Sequence, residues 1–318
     1  MGATVLSLAL LGAACSSSSS SNSTTTTAGS SATTTTLPTK QIPEQAKLAS
    51  VAALVPASVA STGQVTFAMD ATYPPDEFVA PGSSAIVGMD ADLGKAIAET
   101  MGLKPVEQNV TFDAIIPGLQ AGKYDVGLSS FTITAAREKV VDFTQYFEAG
   151  EAFYVKAGAT PVKTLENLCG KTVAVETGTV EQTDAQTQSA ACKKAGHKPV
   201  TVLSYSDQNS VNQAVASGRA EAGFADSQVA GYVVAQSNGE FTLSGEAFNV
   251  APYGIASPKG NGMAQALSAA VTALMSNGTY TEILKKWGVE SGAVTSAPVN
   301  PPASCSPSLD ERRDHLWR

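Results

Sequence analysis

Histidine and clustered positive charge are scarce in this sequence of 318 residues. The two histidines, His197 in a predicted surface loop and His315 near the carboxyl end, provide no pair for acid–base or zinc chemistry. Lysine and arginine number 20 against 28 acidic residues, and the formal net charge is −8. Because nucleic-acid binding requires a clustered basic surface, the sequence predicts no nucleic-acid partner.

Long apolar runs are also scarce. Residues 5–14 form an apolar run as long as a signal-peptide core, and no window reaches the roughly 18 apolar residues of a membrane-spanning helix. Small residues precede Cys15, as in the lipobox of bacterial lipoproteins, so residues 1–15 are predicted to be a lipoprotein signal peptide that leaves Cys15 lipid-anchored. The run lacks a preceding basic residue, and Gly12 replaces the usual Leu, so cleavage to a free secreted protein is the alternative.

The two ends of the chain have compositions that do not favour a packed core. Residues 16–36 are almost entirely Ser and Thr, and residues 16–61 are predicted to be a disordered tether and lead-in. Within the lead-in, residues 48–60 form either a short helix or an irregular segment. Residues 291–318, which are rich in proline and charge and contain Cys305, are predicted to be a disordered tail.

Between these ends, strand and helix patterns alternate. Residues 65–69 alternate in polarity as a strand does, and apolar side chains recur at helical spacing between a capping Asp90 and a terminal Gly102. The same criteria predict further strands and helices at residues 104–109, 111–122, 125–128, 172–175, 179–195, 200–203, 210–218 and 220–225. This alternation predicts an α/β fold with parallel strands in two units.

One segment is repeated within the chain. Residues 121–130 align without a gap with residues 217–226, and both contain Gly, base, any residue, acid, apolar residue and Gly in that order. Each is predicted to be a helix that ends in glycine and turns into a buried strand. Ser130 and Asp226 then occupy matching places in two units, with a common turn repeated by chance as the alternative.

Cys169 and Cys192 are predicted to form a disulfide. A signal segment directs the chain to an oxidising compartment, and the two cysteines lie at the same end of one predicted strand–helix unit. In the chain-entropy account, such a bond stabilises the fold by about 3 kcal/mol. Zinc binding is a poor alternative because neither His nor a second Cys pair stands nearby.

Arg137 breaks a local rule of helix electrostatics. It falls in the first turn of a helix for which Thr134 is the predicted N-cap, where acids rather than cations are favoured. An anionic ligand is the predicted compensation, because a guanidinium can hold a carboxylate through two hydrogen bonds. A surface ion pair with Glu138 or Asp142 is the alternative.

Hydroxyl groups and backbone N–H groups near Arg137 are predicted to complete a carboxylate site. Ser130 and Thr132 follow the buried strand before Arg137. Gly178 and Thr179 lie in a strand-to-helix turn, where glycine lets a ligand approach the helix N–H groups. The alternative for these two residues is an ordinary turn.

Three further candidates suit a cationic group or the side chain of the ligand rather than its carboxylate. Asp226 ends a buried strand and suits an ammonium group, with helix capping as the alternative. Tyr73 in a Pro-Pro loop is predicted to cover the ligand, with loop packing as the alternative, and Asp70 adds a second acid. Because open α/β sheets bind ligands at the carboxyl ends of their strands, these residues together predict a site for a zwitterion.

The chain resembles the bacterial extracellular solute-binding proteins of the polar amino-acid type, family 3, which are receptor components of ABC importers. The matching segments are DATYPP at 70–75, GMDADL at 88–93, IPGLQAGKYD at 116–125, SFTITAAR at 130–137, VVDF at 140–143, GT at 178–179, GTY at 278–280 and KWG at 286–288. This resemblance implies a two-lobed periplasmic-binding-protein-like fold of type II with the ligand in the interlobe cleft. The implied lobes comprise residues 62–155 plus 250–290 and residues 156–249.

The resemblance also implies a role for each candidate. Ser130, Thr132 and Arg137 are expected to hold the α-carboxylate of the ligand, Asp226 its α-ammonium group, and Tyr73 is expected to cover it. The implied partners are a free amino acid and the membrane subunits of an ABC importer. The protein is then an extracytoplasmic monomer that contacts the membrane through its lipid anchor only and uses no metal and no cofactor.

Departures from the family pattern leave the ligand side chain open. Asp76 replaces a common Phe after the Pro-Pro pair, Met89 replaces another, and Val180 stands where some members have Thr. Asp70 and Glu77 favour a basic or neutral ligand side chain.

Two other functions are compatible with this fold. A sensory module that presents its ligand to a membrane receptor is one. The other is a lyase or dehydratase in which Glu77 or Asp76 transfers a proton, although no base or nucleophile is paired with either. The sequence therefore predicts a binding protein that is not an enzyme.

Overall fold

The computed structural model describes residues 37–303. The predicted signal peptide with Cys15, the tether up to residue 36 and Cys305 lie outside the described residues, so their assignments stay predictions. Over the described range, no helix is both long enough and apolar enough to cross a membrane.

Helices and strands alternate along most of the described chain. The helices are α1 (Ala49–Ala52), α2 (Ala57–Ala60), α3 (Met89–Met101), α4 (Phe112–Gln120), α5 (Ala135–Glu138), α6 (Val180–Lys194), α7 (Gln208–Ala216), α8 (Ser227–Gln236), α9 (Met263–Ser276) and α10 (Thr279–Trp287). The strands are β1 (Gln64–Met69), β2 (Thr72–Tyr73), β3 (Glu77–Val79), β4 (Ile86–Val87), β5 (Lys104–Asn109), β6 (Val126–Thr132), β7 (Val141–Lys156), β8 (Thr172–Glu176), β9 (Thr201–Tyr205), β10 (Ala222–Asp226), β11 (Phe241–Leu243) and β12 (Phe248–Pro258).

The central sheet confirms the predicted α/β fold. The strands β5, β1, β6, β12, β7, β10, β8 and β9 lie side by side in that order, and β11 also pairs with β7. As the alternation predicts, β1 is parallel to β5 and β6, and β8 is parallel to β9 and β10. The long strands β7 and β12 run antiparallel to each other between these two parallel groups.

The fold has two lobes, which are connected through β7 and β12. The first part of β7 pairs with β12, and from Glu151 onward β7 pairs with β10 and β11. We define the first lobe as β1–β6, α1–α5, α9 and α10, and the second as β8–β11 and α6–α8. Their apolar cores are separate: Phe67 and Leu93 lie in the core of the first lobe, and Val173 and Phe224 lie in that of the second. The boundaries predicted near residues 155 and 249 stay a prediction.

The described part of the lead-in before β1 packs on the first lobe, beginning with Ile42. Val51 in α1, Val59 in α2 and Val55 between these two short helices lie in the core of this lobe. The helical alternative for residues 48–60 is therefore confirmed, and disorder is the wrong prediction for this part of the lead-in. Each helix is only one turn long, so its stability comes from this burial and not from helix propensity.

The carboxyl-terminal segment is also packed as far as it is described, so the predicted disorder of residues 291–318 is wrong for residues 291–303. Val299 bridges to Thr144 of β7, and the N–H of Phe143 donates to Asn300 Oδ1 at 2.8 Å. These partners satisfy backbone groups along β7. A proline-rich segment has no helix or strand periodicity, so its pattern could not indicate this pairing.

The start of α3 differs from the prediction. Gly88, and not Asp90, is the N-cap residue, with φ of 137°. A Cβ at Gly88 would lie 2.1 Å from the carbonyl oxygen of Asp76, so only glycine fits. The Asp90 carboxylate turns inward and accepts hydrogen bonds from the Ser130 N–H at 3.1 Å and the Tyr146 hydroxyl at 2.9 Å.

The internal repeat and the disulfide are confirmed. Gly122 and Gly218 follow α4 and α7 with φ of 67° and 75°, and the chain then enters the fully buried strands β6 and β10. Cys169, just before β8, is bonded to Cys192 in the last turn of α6. The disulfide therefore connects two elements of the second lobe.

Candidate functional site

A narrow cavity lies between the lobes, where β1, β6, β8 and β10 end. The predicted site residues that line it are Asp70, Tyr73, Ser130, Thr132, Arg137, Thr179 and Asp226. Residues that complete its wall are Glu77, Phe112, Ser129, Glu176, Val180 and Glu181. Gly178 lies in an adjoining space that shares Arg137 and Asp226 with the cavity.

Arg137 is held by groups from both lobes. Thr134 caps α5 by accepting a hydrogen bond from the Arg137 N–H, as predicted. The guanidinium donates to the Thr132 carbonyl at 2.7 Å and to the Gly178 carbonyl at 2.9 Å. The alternative of a surface ion pair is wrong, because Arg137 turns into the cavity and Asp142 pairs with Lys259.

The guanidinium keeps its charge in this position. Its central carbon lies 5.3 Å from the ring centroid of Phe112 and 5.5 Å from that of Phe131. Burial lowers the pKa of Arg137 to about 10, and the nearby acids Glu181 and Asp226 act in the opposite direction. A guanidinium has five N–H donors, so the two bonds to carbonyls leave donors for a ligand carboxylate.

Ser130 has strained backbone geometry at the end of β6. Its φ is 49°, in the left-handed region that a side chain rarely adopts. Its hydroxyl donates to Asp76 Oδ2 at 2.8 Å. Ser130 therefore lines the cavity as predicted, but in this structure its hydroxyl is engaged by an acid behind the wall.

Asp226 and Tyr73 meet across the cleft. The Tyr73 hydroxyl donates to Asp226 Oδ2 at 2.8 Å and accepts from the Asp226 N–H at 3.1 Å. Asp226 makes no side-chain capping bond to α8, so the capping alternative is not supported. Tyr73 lines the cavity and also packs in an apolar cluster of the second lobe, so its contact with a ligand stays a prediction. Burial raises the pKa of Asp226 to about 6, against the hydrogen bonds from Tyr253 and Tyr73 and the charge of Arg137.

Three more acids line the cavity. Asp70 accepts hydrogen bonds from the Thr72 hydroxyl at 2.7 Å and the Phe112 N–H at 2.9 Å. Burial raises the pKa of Asp70, and it raises that of Glu176 well above the ordinary value, with the charge of Asp70 adding to the effect. Glu176 Oε1 and Glu181 Oε1 are buried and have no hydrogen-bond partner among the described residues. Together these groups favour a cation.

Gly178 and Thr179 have roles within the turn. The Gly178 N–H donates to Gln182 Oε1 at 2.9 Å, and its carbonyl holds Arg137. The Thr179 hydroxyl caps α6 by accepting from the Gln182 N–H at 3.2 Å and donates to the Glu176 carbonyl. Direct contact of either residue with a ligand stays a prediction.

Three residues of the cavity wall, Phe112, Glu176 and Glu181, were not among the predicted site residues. A signal existed for Glu176, since it ends the buried strand β8 as Asp226 ends β10. Phe112 and Glu181 lie in the first turns of α4 and α6, and only the fold brings these turns together at the cavity. Across residues 37–303, no group of three or more His, Cys, Asp or Glu is arranged to hold a metal ion.

Comparison with protein families and curated proteins gives consistent matches. The model for "Bacterial extracellular solute-binding proteins, family 3" matches residues 65–290. The arginine-binding protein ArgT of Corynebacterium glutamicum is 35 % identical over 252 residues, which cover 79 % of this chain and 82 % of the relative. The glutamine-binding protein GlnH of Bacillus subtilis is 35 % identical over 214 residues, which cover 65 % of this chain and 74 % of the relative.

Solved structures with the same fold include binding proteins for amino acids. An ancestral arginine-binding protein bound to glutamine has a TM-score of 0.66 and 38 % identity, covering 72 % of this chain and 99 % of that one. An ancestral amino-acid-binding protein, AncCDT-1, is described as a precursor of cyclohexadienyl dehydratase. It has a TM-score of 0.63 and 31 % identity, covering 72 % of this chain and 97 % of that one.

Proposed function

The chain belongs to the bacterial extracellular solute-binding proteins of family 3, and we propose that its cleft captures an amino acid with a cationic side chain, arginine being the first candidate. As a member of this family it is an extracytoplasmic protein that captures a polar amino acid for an ABC-type importer. The proposal concerns which amino acid is captured and how the two lobes share it.

The charge of the cavity wall carries the proposal. Five acids, Asp70, Glu77, Glu176, Glu181 and Asp226, line the cavity beside a single described cation, Arg137. Burial raises the pKa values of these acids, and a ligand with one carboxylate and two cationic groups favours their ionised forms more than a neutral amino acid does.

The arrangement of the wall sets the orientation of the ligand. The α-carboxylate lies against Arg137, and the α-ammonium group lies against Asp226, which is ionised above its pKa of about 6. The ligand side chain then points toward Asp70 and Glu176, between the rings of Tyr73 and Phe112 that line the same cavity. The relatives named for arginine binding support this choice, and the glutamine-binding relative makes glutamine the main competitor.

A titration with two matched ligands tests the proposal. Citrulline has nearly the shape of arginine without its charge, so we expect calorimetry on the purified protein to show arginine binding at least about tenfold more tightly. Glu176→Gln lowers this arginine-to-citrulline ratio severalfold, whereas the exposed control Glu166→Gln leaves it unchanged. Equal affinity for both ligands, or preference for glutamine, would contradict a cationic side chain.

Capture without turnover is the second part of the proposal. The similarity to AncCDT-1 makes a dehydratase the alternative function, and burial raises the pKa of Glu77, an acid in the cavity wall. However, the named curated relatives above are binding proteins. Mass spectrometry of arginine after prolonged incubation is expected to show the ligand unchanged, and any new product would overturn this part.

Anchoring and assembly are proposed on the sequence alone. We assign Cys15 as the lipidated residue and the protein as a monomer that reaches the membrane through this anchor and the importer. Acyl modification of the amino-terminal peptide is expected in mass spectrometry and is lost in Cys15→Ser. A neighbouring gene for a receptor instead of a permease would favour the sensory alternative.

A further inference from the structure

Three buried acids contact Ser129 and Ser130 at the cavity wall. Asp76, Glu77 and Asp90 each have 0 % exposure. The Ser129 hydroxyl donates to Glu77 Oε1 at 2.6 Å, and the Ser130 hydroxyl donates to Asp76 Oδ2 at 2.8 Å. The acids are therefore bound to the two serines that face the ligand.

This acid cluster must hold protons. The charged groups acting on Asp76 are Asp90 and Asp226, both negative, and Glu77 is the adjacent acid in the chain. Its other close neighbours, Gln228, Tyr146 and Tyr253, are neutral. Buried like charges without a cation disfavour full ionisation, and burial accordingly raises the pKa of Asp76 and Glu77 well above the ordinary values.

Asp76 differs from the other two acids because it contacts the second lobe. Gln228 Nε2, at the start of α8, donates to Asp76 Oδ2 at 2.7 Å and lies 2.9 Å from the Tyr253 hydroxyl. Asp76 Oδ1 is buried and has no described partner, which leaves it available to carry a proton. When the lobes separate, Asp76 loses Gln228 and meets water, where an aspartate carboxyl group has a pKa of about 3.9 and is therefore ionised at neutral pH.

We propose that Asp76 is a positioning residue that, in its protonated form, ties Gln228 of the second lobe to Ser130 of the first, so that closing of the cleft takes up a proton. Glu77 and Asp90 hydrogen-bond to Ser129, Ser130 and Tyr146 and have no described hydrogen bond to the second lobe, so their protonation does not join the lobes directly. Only the choice of arginine as probe rests on the proposed function.

The first test needs no ligand. Small-angle X-ray scattering of the purified protein between pH 5 and pH 8 is expected to show the lobes separating as the pH rises. In Asp76→Asn, a neutral isostere of the protonated acid, the radius of gyration is expected to stay constant over this range. A wild-type radius that is independent of pH, or an Asn variant that responds as the wild type does, would overturn the proposal.

The second test counts protons during capture. Calorimetric titration with arginine in buffers of different ionisation enthalpy gives the number of protons exchanged per ligand. We expect Asp76→Asn to bind arginine while taking up fewer protons than the wild type, by a difference approaching about one. Gln228→Ala is expected to reduce both affinity and proton uptake, whereas Gln213→Ala and Glu290→Gln, at exposed sites outside the cleft, change neither.

The outcomes separate this inference from the proposed function. If no amino acid binds, the proposed function fails, and scattering on the free protein still decides whether Asp76 controls closure. If arginine binds and the proton count of Asp76→Asn equals that of the wild type, the proposed function stands and the role of Asp76 is refuted.

Discussion

In the first lobe, α4 ends before Gly122 and the chain turns into β6; in the second, α7 ends before Gly218 and the chain turns into β10. Each strand is fully buried and reaches the cleft, and each has a parallel neighbour, β1 for β6 and β8 for β10. The two lobes therefore share the same arrangement of helix, glycine turn and buried strand.

The side chains at the ends of these strands differ. In the first lobe the strand ends in Ser130 and Thr132 and is followed by Arg137, which suits a carboxylate. In the second lobe the strand ends in Asp226, which suits an ammonium group. A zwitterion needs both, so in the proposed arrangement neither lobe forms a complete site, and capture depends on the two lobes coming together on the ligand.

Removal of the cation of the first lobe is expected to have the largest effect. Arg137→Ala leaves a ligand carboxylate without its charged partner, which costs about 3 kcal/mol or more, a loss in arginine affinity on the order of a hundredfold or greater. Arg137→Lys keeps the charge but not the two-pronged geometry and is expected to recover only part of the loss. Calorimetric titration measures both values.

The exposed Arg219 of the second lobe is the matched control. Its guanidinium lies over the Tyr205 ring at 5.8 Å, away from the cavity, so Arg219→Ala is expected to leave the affinity unchanged. Full arginine affinity in a folded Arg137→Ala protein would show that the carboxylate lies elsewhere.

Removal of the acid of the second lobe is expected to weaken binding less and to change its pH dependence. Asp226 binds an ammonium group only when it is ionised, and burial raises its pKa to about 6. The contribution of Asp226 is therefore present above pH 6 and declines toward lower pH, by up to about tenfold in affinity per pH unit. Asp226→Asn removes this contribution, so its loss relative to the wild type is expected to shrink as the pH falls. A constant difference from pH 7 to pH 5 would contradict the assignment.

The local patterns that repeat in the two lobes were predictable from the sequence. The sequence pattern of residues 121–130 and 217–226 predicts a glycine-terminated helix followed by a buried strand in each lobe. Because ligands bind at the carboxyl ends of strands, the same pattern predicts Ser130 and Asp226 as site residues. Helix electrostatics indicated Arg137 as their partner in one site, and the resemblance supplied the role of each residue. These features depend on neighbours in the chain or on a repeated motif.

Long-range packing was not predictable in the same way. Asn300 contacts the backbone of β7 across 157 positions of sequence, and Gln228 contacts Asp76 across 152. Asp90 has the position and chemistry of a helix cap, yet its carboxylate is drawn inward by Tyr146 and Ser130. Such partners leave no periodic signal in the sequence, because each contact depends on the whole fold.

The disulfide provides the smallest expected effect on binding and a further test of the difference between the lobes. It closes a loop with a sequence separation of 23 within the second lobe, and its loss in Cys169→Ser/Cys192→Ser is expected to reduce the free energy of unfolding by about 3 kcal/mol. Hydrogen exchange is expected to rise in β8, β9 and α6, whereas protection in β1, β5 and α3 is retained. Equal loss of protection in both lobes would show that they unfold as one unit.

Arginine affinity is expected to change little in the same variant, because the bond lies at the far end of α6 from the site. Cys192 lies 13 residues after Thr179, the N-cap residue at the cavity, so about 20 Å separates them along the helix. Effects at such a distance are usually independent. Reduction of the wild type with dithiothreitol should reproduce the variant. A large loss of affinity would mean that the second lobe depends on the disulfide to position Asp226 and Glu176.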